Sequence, residues 1–97
     1  MVYKIRVFND YSVRWPLWGD DGMLEPDALD ISAQLRVRIE EWAAEFNEMY
    51  DFLRGWPSVE VRELHRAEGV EIANCLREEL GQAYEVKLEY WENDARD

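Results

Sequence analysis

Hydrophobic and polar positions alternate near both ends of the chain and recur at helical spacing between them. Residues 2–8 and 83–91 each alternate apolar with charged or polar side chains. Alternation of this kind places every second side chain on the same face of a β-strand. Both segments are therefore predicted to be strands. Tyr3, Ile5 and Val7 share one face of the first, and the inward-facing side chains of the second are Tyr84, Val86, Leu88 and Tyr90.

A second strand is predicted directly after the first. Asn9-Asp10 fits a two-residue turn, because both residue types tolerate a positive φ. Residues 11–15 then alternate apolar and polar side chains until Pro16, which cannot donate to a strand ladder. The alternative is an irregular loop that continues to Asp30, and loops of about twenty residues are uncommon in compact domains. We therefore expect the hairpin.

Two central stretches carry apolar residues at intervals of three and four, which is the spacing of one α-helical face. Ser32 is a suitable N-cap for a first helix, which is predicted to run to about Arg54 and stop at Gly55. Ser58 is a suitable N-cap for a second helix, which Gly81 ends. The predicted buried stripes are Leu35, Ile39, Trp42, Phe46, Met49 and Leu53 in the first helix, and Val61, His65, Gly69, Ile72, Leu76 and Leu80 in the second.

The order of elements is ββααβ, with an irregular segment over 16–31. This order predicts an α+β, two-layer sandwich in which a small three-stranded sheet is covered on one face by an antiparallel helix pair. The last strand is expected to lie beside the first. Residues 1–91 are predicted to form a single domain, with a frayed C-terminal tail over 92–97. A chain of 97 residues is of ordinary size for one domain.

The charge of the chain narrows the choice of partners. There are 22 Asp and Glu against 11 Lys and Arg, so the formal net charge is -11. A charge of this sign repels nucleic acid and anionic membranes and attracts basic protein surfaces. We therefore expect no direct nucleic-acid or membrane partner. The expected partner is a basic protein, with nucleic-acid-binding proteins among the candidates, and a homodimer is also compatible.

The acidic residues form two runs that contain no lysine or arginine. On a helix, side chains at i and i+4 lie about 5–6 Å apart at Cβ, so a row of carboxylates can imitate a row of phosphates. The alternative is an ordinary solvated helix face. However, like charges at this spacing are destabilising, and a solvated face normally intersperses lysine, which favours a basic partner. The candidate partner-binding acids are Asp20, Asp21, Glu40, Glu41, Glu45, Glu48 and Asp51.

Two tryptophans flank a Pro-Leu pair directly before the first acidic run. Trp15 and Trp18 are candidate partner-binding residues, since tryptophan is enriched among interface hot spots. The alternative is that both rings fold back as a lid over the end of the sheet. We expect Trp15 to be buried and Trp18 to be exposed.

The residues that usually carry catalysis or bind metals do not form a recognisable set. His65 and Cys75 are the only residues of their types and are separated by about 15 Å along the predicted second helix. The acids near Asp20 and Asp21 do not keep the ligand register of an EF-hand. No catalytic residue, metal site or cofactor is therefore predicted. A single cysteine excludes an intrachain disulfide, and the N-terminal residues lack a signal-peptide pattern, so a cytoplasmic location is expected.

Several of these features together resemble a set of small acidic bacterial and phage proteins of unassigned function. The shared features are the Trp-rich segment, the acidic loop, the two serine caps, and the Gly-Trp and Glu-Leu-Gly motifs. In this chain they are Trp15 to Trp18, Asp20 to Asp30, Ser32, Gly55-Trp56, Ser58 and Glu79-Leu80-Gly81. The resemblance covers most of the chain, concerns structural positions, and transfers no catalytic residue.

The sequence thus predicts a non-enzymatic acidic domain that docks on a basic partner surface. Inhibitors, immunity proteins and nucleic-acid mimics share this small, acidic, single-domain profile. One alternative is a small enzyme or ligand-binding domain that uses residues 15–18 as a pocket wall and Asp20 or Asp21 as a base. Another is a homo-oligomer subunit with tryptophans at its interface. A concave pocket that contains a carboxylate with a perturbed pKa would favour the enzyme, whereas a convex acidic face would favour the inhibitor.

Overall fold

The computed structural model describes residues 2–93 as an α+β sandwich. A 3₁₀ turn, Gly81–Ala83, joins the second helix to the last strand. The elements, in chain order, are β1 (Tyr3–Val7), β2 (Leu17–Gly19), β3 (Gly22–Met23), α1 (Ala33–Met49), α2 (Val59–Leu80) and β4 (Tyr84–Leu88).

The sheet has four strands in the order β3-β2-β1-β4. β4 pairs in parallel with β1, from Tyr3 opposite Tyr84 to Val7 opposite Leu88, and β2 pairs antiparallel with β1. A parallel pair needs a long crossover connection, and here α1 and α2 provide it. The predicted strands at the two ends and their adjacency are confirmed. The predicted count of three strands is wrong, because the segment expected to be irregular contains the short β2–β3 hairpin.

The predicted strand over residues 11–15 is wrong. Residues 8–16 form a loop, whose base is closed by the backbone N–H of Phe8 donating to the carbonyl of Pro16 at 3.2 Å. Ser12 has a φ of 67°, which is incompatible with a strand, and its N–H donates to the side chain of Asn47 in α1. The loop therefore satisfies its backbone through the helix, so period-2 alternation in this segment did not indicate a strand.

Both helices begin where the sequence predicts. The hydroxyl of Ser32 accepts the N–H of Leu35, and the hydroxyl of Ser58 accepts the N–H of Val61. The carboxylate of Glu79, at the end of α2, also accepts the N–H and hydroxyl of Ser32. The start of α1 is therefore fastened to the end of α2.

α1 ends at Met49, earlier than the predicted stop near Arg54. The carboxylate of Asp51 accepts the backbone N–H groups of Leu53 and Arg54, and Asp51 also pairs with Gly55 through the backbone. Such local bonds offer the backbone an alternative to the helix. As a result Leu53, which was predicted to be buried, is 80% exposed.

The core lies between the helix pair and one face of the sheet. Ile5, Val7 and Leu17 of the sheet share it with Ile39 and Ile72 of the helices. The other predicted core residues that are confirmed as buried are Leu35, Trp42, Phe46, Leu76 and Val86, whereas Leu88 is only partly buried.

The helices cross in antiparallel order at a glycine. Arg38 contacts Glu68, while Trp42, further along α1, contacts the earlier residue His65. A Cβ on Gly69 would lie 2.7 Å from Cζ2 of Trp42. The close approach of the two helices therefore requires a glycine here, which explains a residue that otherwise weakens a helix interior.

The C-terminal residues after β4 pack against the 8–16 loop and the α1–α2 connection. The indole N–H of Trp91 donates to the carbonyl of Asn9 at 2.7 Å, and that of Trp56 donates to the carbonyl of Glu92 at 2.8 Å. Glu92 is fully buried. The predicted start of a frayed tail at residue 92 thus falls inside a packed segment, and residues 94–97 lie outside the described residues.

Candidate partner-binding site

An open groove lies between the 8–16 loop and α1, and we call it the acidic groove. Its volume is about 830 Å³. Asn47 fastens the loop to the helix: its Oδ1 accepts the N–H of Ser12 at 2.8 Å, and its Nδ2 donates to the carbonyl of Val13 at 3.0 Å. The lining residues are Ser12, Arg14, Glu40, Glu41, Ala44, Asn47 and Glu48.

The acidic groove carries more negative than positive charge. Glu40, Glu41 and Glu48 line it with a single base, Arg14. These three carboxylates are exposed, and in the part of the chain that the structure describes none of them forms an ion pair within 4.0 Å. The acidic surface is thus an open groove and not the convex face expected of an inhibitor. Unpaired carboxylates on one wall of such a groove create a negative potential that favours a cationic partner.

Three arginines of the helices make their hydrogen bonds to other parts of the fold and not to the acidic groove. Arg36 donates to the carbonyls of Pro26 and Leu29, and Arg77 donates to the carbonyl of Val86. Arg38 forms a two-bond pair with Glu68 at 3.0 and 2.7 Å, which raises the pKa of its guanidinium. None of these three guanidinium groups therefore forms an ion pair with Glu40, Glu41 or Glu48.

Glu45, another predicted site residue, lies outside the acidic groove. It lines a smaller cavity of about 250 Å³ with Arg38, Leu64 and Glu68. Partial burial raises the pKa of Glu45, and the charges of Glu68 and Glu48 raise it further. Only Glu41 lines both cavities. The carboxylates of α1 thus face two different concavities.

Asp20 and Asp21 are also separate from the acidic groove. They form the turn of the β2–β3 hairpin, near the beginning of β1, whereas the 8–16 loop follows the end of β1. Together with Tyr3 and Tyr84 they line a cavity of about 380 Å³. The structure therefore places the two acidic runs at opposite ends of the sheet.

The two candidate tryptophans occupy different environments. Trp15 is buried in the core, as predicted. Trp18 lies on the sheet face away from the helices, stacked on Phe8 with ring centroids 4.5 Å apart, and its N–H donates to the Phe8 carbonyl. Trp18 is half-buried by this contact, so it is not the freely exposed anchor that the sequence predicted.

Asp51 is the predicted site residue with a clear structural role, since it organises the turn after α1. This turn exposes Phe52 and Leu53 beside the end of the acidic groove. Neither residue was among the predicted site residues, and neither were Ser12, Arg14 and Asn47. Nothing in the alternation of residues 11–15 indicated that Arg14 would face α1, because that contact depends on the loop conformation.

His65 is buried among aromatic rings instead of lying in a reactive cleft. It stacks on Trp42 and contacts Trp56, with centroid distances of 4.8 and 4.5 Å. Its Nδ1 lies 3.1 Å from the hydroxyl of Tyr90, and its Nε2 lies 3.0 Å from the carbonyl of Trp42. Burial lowers the pKa of His65 to about 4. Its role in the fold is to fill and hydrogen-bond the core.

A search of residues 2–93 finds no group of three or more His, Cys, Asp or Glu side chains placed to hold a metal ion. Neither of the two described helices has a stretch apolar and long enough to cross a membrane.

Comparison with known proteins identifies a family. Residues 3–93 match the model of a family described as Serratia CdiI immunity protein-like. The match includes the acidic groove, both helices and all four strands. A comparison with curated proteins found no match.

Proposed function

The chain belongs to the Serratia CdiI immunity protein-like family, and on this premise we propose that it neutralises a toxin protein by binding it through the acidic groove. The observation that carries the proposal is the set of unpaired carboxylates of Glu40, Glu41 and Glu48 in a concave, exposed surface. The proposed action is binding alone, without catalysis by this chain, and the proposed compartment is the cytoplasm.

The proposed partner is a basic protein surface. A chain of charge -11 attracts such a surface over a distance of about one Debye length, which is roughly 10 Å at 0.1 M salt. A toxin that acts on nucleic acid carries basic residues where it binds phosphates. Docking of the carboxylates on those residues would exclude the nucleic acid, so a nucleic-acid-binding toxin is the form of partner that this surface fits best.

The first experiment identifies the partner by neutralisation. The tagged protein is used to capture proteins from its source cell, and bound proteins are eluted with high salt and identified by mass spectrometry. Each is then expressed in a bacterial cell with and without this chain. We expect one captured protein to arrest growth alone and to be harmless when this chain is co-expressed. If no captured protein behaves in this way, the immunity function is refuted.

The second experiment tests the acidic groove with that toxin. Replacing Glu40, Glu41 and Glu48 by Lys should weaken binding at least about 100-fold, because close interfacial charge pairs contribute roughly 1.5–7 kcal/mol in coupling energy. The matched control replaces Glu25, Glu71 and Glu78, which are exposed acids elsewhere, and changes the net charge equally. Equal loss of affinity in both triple variants would show that net charge acts alone and that the groove is not the site.

A further inference from the structure

The connection between α1 and α2 is a constrained turn that presents apolar side chains to water. Asp51 and Gly55 exchange two backbone hydrogen bonds, at 3.0 and 2.7 Å, and Gly55 has a φ of 73°. The Asp51 carboxylate accepts two more N–H groups inside the turn. Nevertheless Phe52 is 74% exposed and Leu53 is 80% exposed. A turn held by this many bonds loses little further entropy when it binds, which favours recognition.

A cluster of aromatic rings includes the residue that directly precedes this turn in the chain. Tyr50, which precedes the turn, contacts the rings of Tyr11 and Trp91 at centroid distances of 6.4 and 5.6 Å. Both of these rings remain partly open to solvent, as does Met49. We call this set, Tyr11, Met49, Phe52, Leu53 and Trp91, the apolar knuckle.

Two residues of the apolar knuckle are direct chain neighbours of residues that line the acidic groove. Glu48 and Asn47 line the groove and directly precede Met49, and Ser12 lines it and directly follows Tyr11. We propose that the knuckle is the apolar half of the toxin interface, and that the toxin presents a basic surface bordering an apolar cleft that receives Phe52 and Leu53. This inference rests on the proposed immunity function and names the surface of the partner more closely.

The acidic residues near the apolar knuckle favour a different protein, and not a second copy of this chain, as the partner that covers the knuckle. The charges of Asp10 and Asp51 act on Tyr11, Glu48 directly precedes Met49, and Arg54 is the base in the turn itself. A symmetric dimer through the knuckle would bring two sets of these carboxylates together, each on a chain of charge -11. A basic partner turns the same carboxylates into attractive contacts around an apolar centre, which is the usual arrangement of a binding hot spot.

The test is F52S/L53S, measured against the toxin identified by the neutralisation assay. Both side chains are exposed, so the melting temperature should change little. Because the variant removes two large apolar side chains from the interface, we expect affinity to fall roughly 10- to 100-fold, mainly through faster dissociation. This loss should be similar at low and high salt. The control is V70S, which removes another exposed apolar side chain from the middle of α2 and should leave affinity unchanged.

The outcomes separate this inference from the function on which it rests. If the groove reversal abolishes binding and F52S/L53S has no effect, the toxin is bound without the knuckle and only this inference is overturned. If neither variant affects neutralisation, the chain neutralises the toxin through another surface, and both the acidic groove as binding site and this inference are overturned. Sedimentation provides the remaining test: a dimer that F52S/L53S converts to monomer would show that a second copy covers the knuckle, and would also overturn the inference.

Discussion

His65 and Glu92 are titratable side chains that folding removes from water almost completely. Burial lowers the pKa of His65 to about 4 and raises the pKa of Glu92. In both cases burial favours the neutral form of the side chain, because a charge is poorly solvated in the protein interior. The two side chains therefore affect stability in opposite directions as the pH changes.

The His65 shift predicts a loss of stability in mild acid. Because the folded pKa of about 4 lies below the ordinary value of 6.5, the unfolded chain binds a proton that the folded chain does not. The free energy of unfolding should fall as pH decreases from about 6.5, by about 3 kcal/mol once pH is below 4. Urea titrations at pH 7.5, 5.5 and 4.5 measure this. The variant H65Q should show a smaller decrease, and an equal decrease would contradict the assignment.

Glu92 and Asn9 form a buried side-chain pair that is short of one hydrogen-bond donor. Nδ2 of Asn9 donates to Oε2 of Glu92 at 3.2 Å, while Oδ1 of Asn9 and Oε1 of Glu92 are buried without a hydrogen-bond partner. One donor on the Glu92 side chain could satisfy the Asn9 oxygen. A proton on the carboxylate provides such a donor, which agrees in direction with the raised pKa of Glu92.

The variant E92Q is therefore predicted to be more stable than the natural chain at pH 7. Its amide supplies the missing donor without a buried charge, and the gain should be roughly 1–3 kcal/mol. A raised carboxyl pKa gives stability that is present below the ordinary value of 4.5 and is lost as pH rises through the folded value. The advantage of E92Q should therefore shrink as pH approaches 4.5. Thermal melts at pH 7 and 4.5 test this, with the exposed-site variant E85Q as the control. A destabilised E92Q at pH 7 would contradict it.

Among the elements, the crossing of α1 and α2 depends on one glycine and one indole. The Trp42 indole donates to the carbonyl of His65 at 2.8 Å and stacks on the His65 ring, so it cannot easily move. Gly69 lies in van der Waals contact with this fixed ring. The spacing of the two helices is therefore set by the size of the side chain at position 69.

The variant G69A should destabilise the fold although alanine is the better helix former. The added methyl would lie 2.7 Å from Trp42, and overpacking of this kind typically costs about 1–3 kcal/mol. Combining G69A with W42F should reduce the penalty, because the smaller ring lacks the atom that the methyl would contact. Denaturant titrations of the two single variants and the double variant measure the coupling. Purely additive effects would show that the contact does not limit the helix spacing.

For the molecule as a whole, the excess of carboxylates opposes folding at low salt. A net charge of -11 on one small domain creates self-repulsion, and salt screens it. The Debye length decreases from about 30 Å at 0.01 M to about 3 Å at 1 M. The melting temperature at pH 7 should therefore rise by several degrees between 0.01 and 0.5 M NaCl. The control triple variant at Glu25, Glu71 and Glu78 should show a smaller rise, and a melting temperature that falls with salt would contradict the prediction.

The same charges should accelerate association with a basic toxin. The association rate is expected to fall at least 10-fold between 0.05 and 0.5 M salt, because electrostatic steering is lost as the charges are screened. Stopped-flow binding of the natural chain and the groove reversal would measure this. The reversal should remove most of the salt dependence. An association rate that is independent of salt would leave the apolar knuckle as the main source of affinity.

The sequence by itself determined the elements that local physical chemistry controls. Ser32 and Ser58 start their helices because a hydroxyl can cap nearby N–H groups, and β1 and β4 follow from strict alternation. It also determined the acidic surplus, which follows from composition. The α+β class could be predicted because these periodicities survive in any tertiary arrangement.

Only the tertiary structure decided the conformation of residues 8–16 and the grouping of the acids. Asn47 binds the loop, and this contact places Arg14 opposite Glu40 and Glu48. Because β2 runs antiparallel to β1, Asp20 and Asp21 lie near the beginning of β1, at the end of the sheet away from the 8–16 loop. These features depend on contacts between residues far apart in the chain, and a local sequence pattern does not indicate which of those contacts form. Of the three apolar side chains that alternate in the loop, Trp15 is buried, Val13 is partly buried and Tyr11 is exposed, so the alternation did not mark one face of a strand.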